Sequence, residues 1–113
     1  MKVGKLMKNE ISDRYWRDLK DGAEKRDIDF SLTPTEAWKI FLTQNRCCAM
    51  TGTDLDFKSY GHRGTASLDR IDSQKSYVSH NVQWVLTTVN LMKGSLKEDY
   101  FKLLCSQISA KNN

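Results

Sequence analysis

The stretch from Thr65 to Gly94 constrains the fold more than any other part of this chain. Thr65-Ala66-Ser67-Leu68-Asp69 predicts a short strand, and Asp72-Ser73-Gln74-Lys75-Ser76 is a cluster of turn formers. Asn81 to Leu86, with Val82, Trp84 and Val85, predicts the returning strand of a hairpin. From about Thr87, the apolar positions Val89, Leu91 and Met92 predict a short helix that ends near Gly94. A hairpin followed at once by a helix can fold back so that the helix lies against the strands.

The flanks read as helices. Ile11, Tyr15, Leu19 and Ala23 recur every four residues, while Arg14, Arg17, Lys20 and Glu24 take the other faces. Gly22 weakens the end of this helix, and Asp27-Ile28-Asp29-Phe30 predicts an extended connector. Thr33-Pro34-Thr35-Glu36 is a sharp helix start: Thr33 caps, Pro34 suits the first helical position and Glu36 completes a capping box. Ala37, Ile40 and Phe41 form the expected buried stripe, with Trp38 and Leu42 at its margins and an end near Asn45. Cys48 to Gly52 is expected to be extended. The polar stretch from there to Gly64 is expected to be a mobile basic loop carrying Lys58, His62 and Arg63. Ser95-Leu96-Lys97-Glu98 predicts a second capping box, opening a last helix packed through Phe101, Leu104, Cys105 and Ile108. The expected organisation is α+β, with a frayed segment at 1–10, one domain at 11–113 and its core at about 48–94.

Composition narrows the function classes. A chain of 113 residues has room for one domain, and 39% hydrophobic with 28% charged residues describes a globular protein. No run approaches the roughly 18 apolar residues of a membrane span, and no apolar stretch follows the basic start Met1-Lys2-Val3-Gly4-Lys5 as in a signal peptide. An intracellular location is therefore expected. Cys47 and Cys48 are adjacent and Cys105 is distant, which is neither a disulfide framework nor a C-x-x-C zinc knuckle. No structural zinc is expected. The net charge of +4 is compatible with a nucleic-acid partner.

Chemistry concentrates on the hairpin and its helix. Folding the helix onto the strands brings Asp69 and Asn90 over one small hollow. Carboxylate and amide oxygens, completed by water and phosphate, suit one hard divalent cation, Mg²⁺ or Mn²⁺. Such a cation would hold a scissile phosphate and stabilise the leaving oxygen.

The order Asp69-Arg70, Asn81-Val82-Gln83, Asn90 and Lys93 resembles the ββα-metal motif of HNH endonucleases. Tyr15-Trp16, Ala23 with Arg26, Cys48 to Gly52, Ala66 to Ser73 and Tyr100-Phe101 extend the likeness to a compact group of phage-type and bacterial HNH proteins. The resemblance implies that Asp69 and Asn90 are metal ligands and that Asn81 stiffens the hairpin by bonding backbone groups across its loop. Most members have His where Arg70 stands, acting as general base. Arginine stays protonated and cannot take that proton, but it can clamp a phosphate. A base would then be His80, beside Asn81, or His62 in the basic loop; otherwise the metal itself generates hydroxide. Many members frame the hairpin with two cysteine pairs; here Cys48 is kept, while Thr51, Leu86 and Val89 take the other three places. Lys58, Arg63, Arg70 and Lys93 are the candidate phosphate contacts. Trp84 and Trp16 are expected in the core, and Asp72 in the turn. The implied activity is metal-dependent hydrolysis of DNA, with a weakly active or inactive DNA-binding protein as the alternative. A dimer would let a one-site nuclease cut both strands.

Overall fold

The computed structural model describes residues 9–57 and 64–113. Helix α1 (Asp13–Lys25) is capped by Ser12, whose hydroxyl accepts from the Tyr15 amide. Helix α2 (Pro34–Thr43) starts on the complete Thr33–Glu36 capping box with Pro34 in its first turn. Strands β1 (Ala66–Arg70) and β2 (Val82–Leu86) form an antiparallel pair that sets Asp69 opposite Gln83 and Leu68 opposite Trp84. A 3-10 turn (Ser79–Asn81) leads into β2. Helix α3 (Thr87–Lys93) follows β2 directly and stops at Gly94, which adopts φ 55° and ψ −127°, a backbone conformation that favours glycine. Helix α4 (Glu98–Lys111) closes the chain.

The hairpin is sandwiched. Trp84 is fully buried; its ring meets Phe57 at 5.0 Å and Phe41 at 6.0 Å, and its indole N–H donates to the Ala37 carbonyl at 2.9 Å. On the opposite face, Ser67 and Asp69 look toward α3, as the two-residue period of a strand requires.

Side chains cover both edges of this short ribbon. Along β1, Tyr15 Oη donates to the Ala66 carbonyl at 3.3 Å. Asn90 donates to the Leu68 carbonyl at 3.3 Å, and Lys93 to the Arg70 carbonyl at 2.9 Å. Along β2, the Gln44 amide makes both bonds to the Trp84 backbone, at 2.8 and 2.9 Å, and Cys48 Sγ accepts from the Leu86 amide at 3.4 Å.

Burial pushes the Tyr15 phenol up from its ordinary 10.0 to about 12. The fold thus favours the neutral phenol. Its contribution is complete below pH 10 and fades as pH rises from 10 toward 12, by roughly 2 to 3 kcal/mol for a two-unit shift. Denaturant titrations at pH 9 and 11.5 should show wild type losing more stability than Tyr15→Phe. Equal losses would remove Tyr15 as the cause.

Several expectations are corrected. Trp38, not Ile40, is buried with Ala37 and Phe41, because α2 turns its Trp38 edge toward Phe57 at 6.1 Å. Cys48 to Gly52 is not extended: the Gly52 amide bonds the Cys48 carbonyl at 2.9 Å, which makes a tight turn. The Ser95 capping box does not form. Lys97 is the cap position without a side-chain bond, and Glu98 is instead drawn to Gln83 and Lys93. Helix α4 buries only Phe101, and Ile108 is 64% exposed, because its packing against the body is confined to the first turns. Glu10, within the stretch expected to fray, is bonded through both carboxylate oxygens by Arg46, at 2.7 and 2.8 Å.

Candidate functional site

The outer edge of β1, the C-terminal end of α1 and helix α3 border a hollow of about 270 Å³. Asp69, Asn90, Arg70, Ser67, Arg26 and Tyr77 contribute to its walls. It adjoins a second hollow of about 460 Å³ that shares Arg26, Arg70, Ser67 and Asn90. Chain geometry explains the convergence: Ser67 and Asp69 share one face of β1, and Asn90 and Lys93, one turn apart on α3, meet them in order.

Asp69 is 5% exposed, and its carboxylate is held tightly. Lys93 Nζ donates to both oxygens, at 2.8 and 3.1 Å, and Gln83 Nε2 donates to Oδ2 at 3.0 Å. Lys93 also donates to the carbonyls of Arg70 at 2.9 Å and Ile71 at 3.4 Å, and lies 3.7 Å from Glu98. The expectation that Lys93 contacts phosphate is therefore corrected. Its ammonium is 0% exposed and spent on Asp69, because the last turn of α3 faces the strands rather than solvent.

Asn90 Nδ2 donates to Ser67 Oγ at 2.7 Å and to the Leu68 carbonyl. These bonds fix the amide plane and leave Oδ1 as an acceptor without a donor among the described residues. Of about four acceptor positions on the Asp69 carboxylate, three are used. Asp69 and Asn90 both line the hollow, and each keeps an acceptor position that no described residue fills. Among the described residues no group of three or more His, Cys, Asp or Glu could enclose a metal ion. This donor set fits a hexacoordinate Mg²⁺ or Mn²⁺ that keeps most of its shell as water and substrate phosphate. It does not fit a closed, all-protein metal site.

Arg70 lines both hollows, with Nη1 donating to the Lys75 carbonyl at 2.9 Å and its guanidinium 5.3 Å from the centre of the Tyr77 ring. Asn81 is buried below the hairpin loop. Its Oδ1 accepts from the Asp72 amide at 2.9 Å, and its Nδ2 donates to the carbonyls of Asp72 at 3.1 Å and Ser76 at 3.0 Å. Asp72 Oδ1 accepts from the Gln74 amide at 2.9 Å, within the turn. His80 is exposed on the 3-10 turn and is not part of either hollow's lining. Lys58, His62 and Arg63 lie outside the described residues.

Cys48 is buried and also accepts from the Thr51 amide at 3.4 Å. Burial raises its thiol, but the hydrogen bonds from Thr51, Leu86 and Met50 outweigh this and leave it below its usual value. Cys48, Thr51 and Leu86, three of the four positions that the resemblance aligns with cysteine pairs, meet in space.

Sequence reasoning gave Arg26 and Tyr77 no part in the site, although Arg26 belongs to the quoted likeness. Arg26 is the residue that ends α1, and only the packing of α1 beside β1 delivers it to the hollow. No local pattern encodes that.

Compared by sequence, the chain matches no family model and no curated protein. Compared by structure, it is similar to the rare-cutting HNH restriction endonuclease PacI, described with an extraordinary mechanism of DNA perturbation. The TM-score is 0.62 at 22% identity, over 85% of this chain and 75% of that one. The fold of this chain is HNH-like: a two-stranded antiparallel hairpin and its following helix, with helices on either side.

Proposed function

We propose that this chain is a metal-dependent endonuclease that hydrolyses phosphodiester bonds in DNA. The observation that carries this reading is the meeting of Asp69 and Asn90, as oxygen donors, with the Arg70 guanidinium over one hollow of an HNH-like hairpin and helix. Asp69 and Asn90 would hold the cation. When bound there, Mg²⁺ or Mn²⁺ would supply Lewis-acid polarisation of the phosphate, charge stabilisation on the leaving oxygen and acidification of the attacking water. Arg70 donates to a non-bridging phosphate oxygen and stabilises the charge that develops on it. Asn81 keeps the hairpin loop, and with it the strand ends that carry Asp69 and Arg70, in one conformation. Since a guanidinium cannot accept a proton, His62 and His80 are the side-chain candidates for that role.

The test is nicking of supercoiled plasmid with Mg²⁺ or Mn²⁺. Asp69→Asn keeps an acceptor for Lys93 but removes the charge that faces it, so its rate is compared at a temperature where circular dichroism shows the variant folded. There it should be at least about 100-fold lower, as expected for a group acting on transition-state charge. Equal rates for wild type and Asp69→Asn would sink the reading.

Arg70 also favours a second reading, a DNA-binding protein of the same fold with weak or no cleavage. In that case wild type binds DNA but nicks nothing, and Arg70→His gains cleavage in the same assay. An inert Arg70→His would count against a scaffold that merely lacks its base.

A further inference from the structure

We propose that Arg26, from outside the hairpin and its helix, forms with Arg70 a two-guanidinium clamp for backbone phosphate of DNA, with Tyr77 as the bracket that sets both. The inference rests on the DNA reading above and adds to it a second phosphate-binding residue.

Tyr77 is 4% exposed and cannot drift. Its amide donates to the Asp29 carbonyl at 3.0 Å, its carbonyl accepts from Ser31 and Leu32, and its ring meets Phe30 at 5.1 Å. Arg26 Nη2 donates to Tyr77 Oη at 3.1 Å, while Arg70 lies against the face of the same ring. The stem of Arg26 is fixed by its Nε bond to the Gly22 carbonyl at 3.1 Å. Two cations are thus anchored on one rigid side chain at the wall of one hollow.

The charges in this hollow do not cancel. Lys93 neutralises Asp69 at 2.8 Å, whereas neither Arg26 nor Arg70 makes an ion pair with a carboxylate among the described residues. A guanidinium carries five N–H donors. Arg26 spends two of them and Arg70 one on the described residues. Both arginines border the same hollow as Ser67 and Asn90. Planar forks with spare donors and uncompensated charge match the oxygens of a phosphodiester, which accept in pairs. Bracketing in advance means that little side-chain freedom is lost when phosphate arrives.

Fluorescence anisotropy of a labelled duplex in EDTA, from 50 to 300 mM salt, measures this without cleavage. Each phosphate contact adds about 0.9 to the slope of log K against log salt. Arg26→Gln should lower the slope by about that amount and weaken binding alike for unrelated duplexes, with an unchanged circular dichroism spectrum. Arg26→Lys, which keeps the charge but loses the fork to Gly22 and Tyr77, should restore most of the slope. A Gln variant with the wild-type slope, or a Lys variant as defective as Gln, would overturn the clamp and leave Arg26 as a brace for Tyr77. Wild type without salt-dependent binding would overturn the DNA reading itself, and the clamp with it.

Discussion

Replacing Lys93 by Met should destabilise the protein by about 3 to 5 kcal/mol, the range for stranding one charge of a buried pair. The stem length is kept, so little packing is lost. What remains is the Asp69 carboxylate, 5% exposed, with only the Gln83 amide to serve it, and the carbonyls of Arg70 and Ile71 without their donor. Against a total stability of about 5 to 15 kcal/mol, that loss unfolds a large share of molecules on modest heating. Glu98, 3.7 Å away, retains Lys102 at 3.1 Å and is not stranded. Denaturant unfolding followed by circular dichroism measures the loss. A double-mutant cycle identifies its cause: Lys93→Met with Asp69→Leu should be more stable than Lys93→Met alone, because no lone charge is left inside. A single variant within about 1 kcal/mol of wild type would show that Lys93 is not the ion that holds α3 to β1.

Asn81→Ala should cost about 3 kcal/mol. One side chain makes three hydrogen bonds to the loop backbone, each worth about 1 kcal/mol net, and more where a partner is left unsatisfied. Water reaches the exposed Asp72 side of the loop and limits the damage there, while Ser76 is half-buried. Amide hydrogen exchange should separate this variant from Lys93→Met. In Asn81→Ala, protection should fall first at the Asp72 amide, the direct partner, and then through the turn, with α2 retaining its own. Uniform loss across the molecule would show that Asn81 supports the fold as a whole rather than the loop.

The two residues also show what a sequence can and cannot disclose. The capping box at Thr33, the hairpin turn and the strand pair were legible because each is decided within a few neighbouring residues. The meeting of Asp69 and Asn90 over one hollow was legible too, since strand period and helix period place them once a hairpin followed by a helix is assumed. Lys93 was not. A lysine in the last turn before a glycine has every local mark of a solvated helix end. Its burial is made tolerable by Asp69 with the carbonyls of Arg70 and Ile71, none of them near in sequence. Arg26 was hidden for a related reason: its place depends on how α1 lies beside β1, a contact between residues more than forty positions apart. Trp38 and Ile40 differ by half a turn of one helix, and the choice of which faces inward belongs to Phe57, outside the helix, not to α2 itself. Helix α4 misled in the other direction, since an apolar stripe predicts a partner but does not supply one.

A two-stranded ribbon ordinarily invites company, because each outer strand is a template on which a foreign strand can be laid. Here that invitation is withdrawn on both sides: Tyr15, Asn90 and Lys93 hold the bonding groups of β1, and Gln44 and Cys48 those of β2. Growth of the sheet, by another copy or by an extended peptide, must first dislodge α1 and α3 on one side and the end of α2 with the turn that follows it on the other. Strand-templated misassembly therefore has no shortcut from the native state, and its rate should follow the population of globally unfolded molecules. Partners of the folded protein are directed to its helical faces and its cationic hollow.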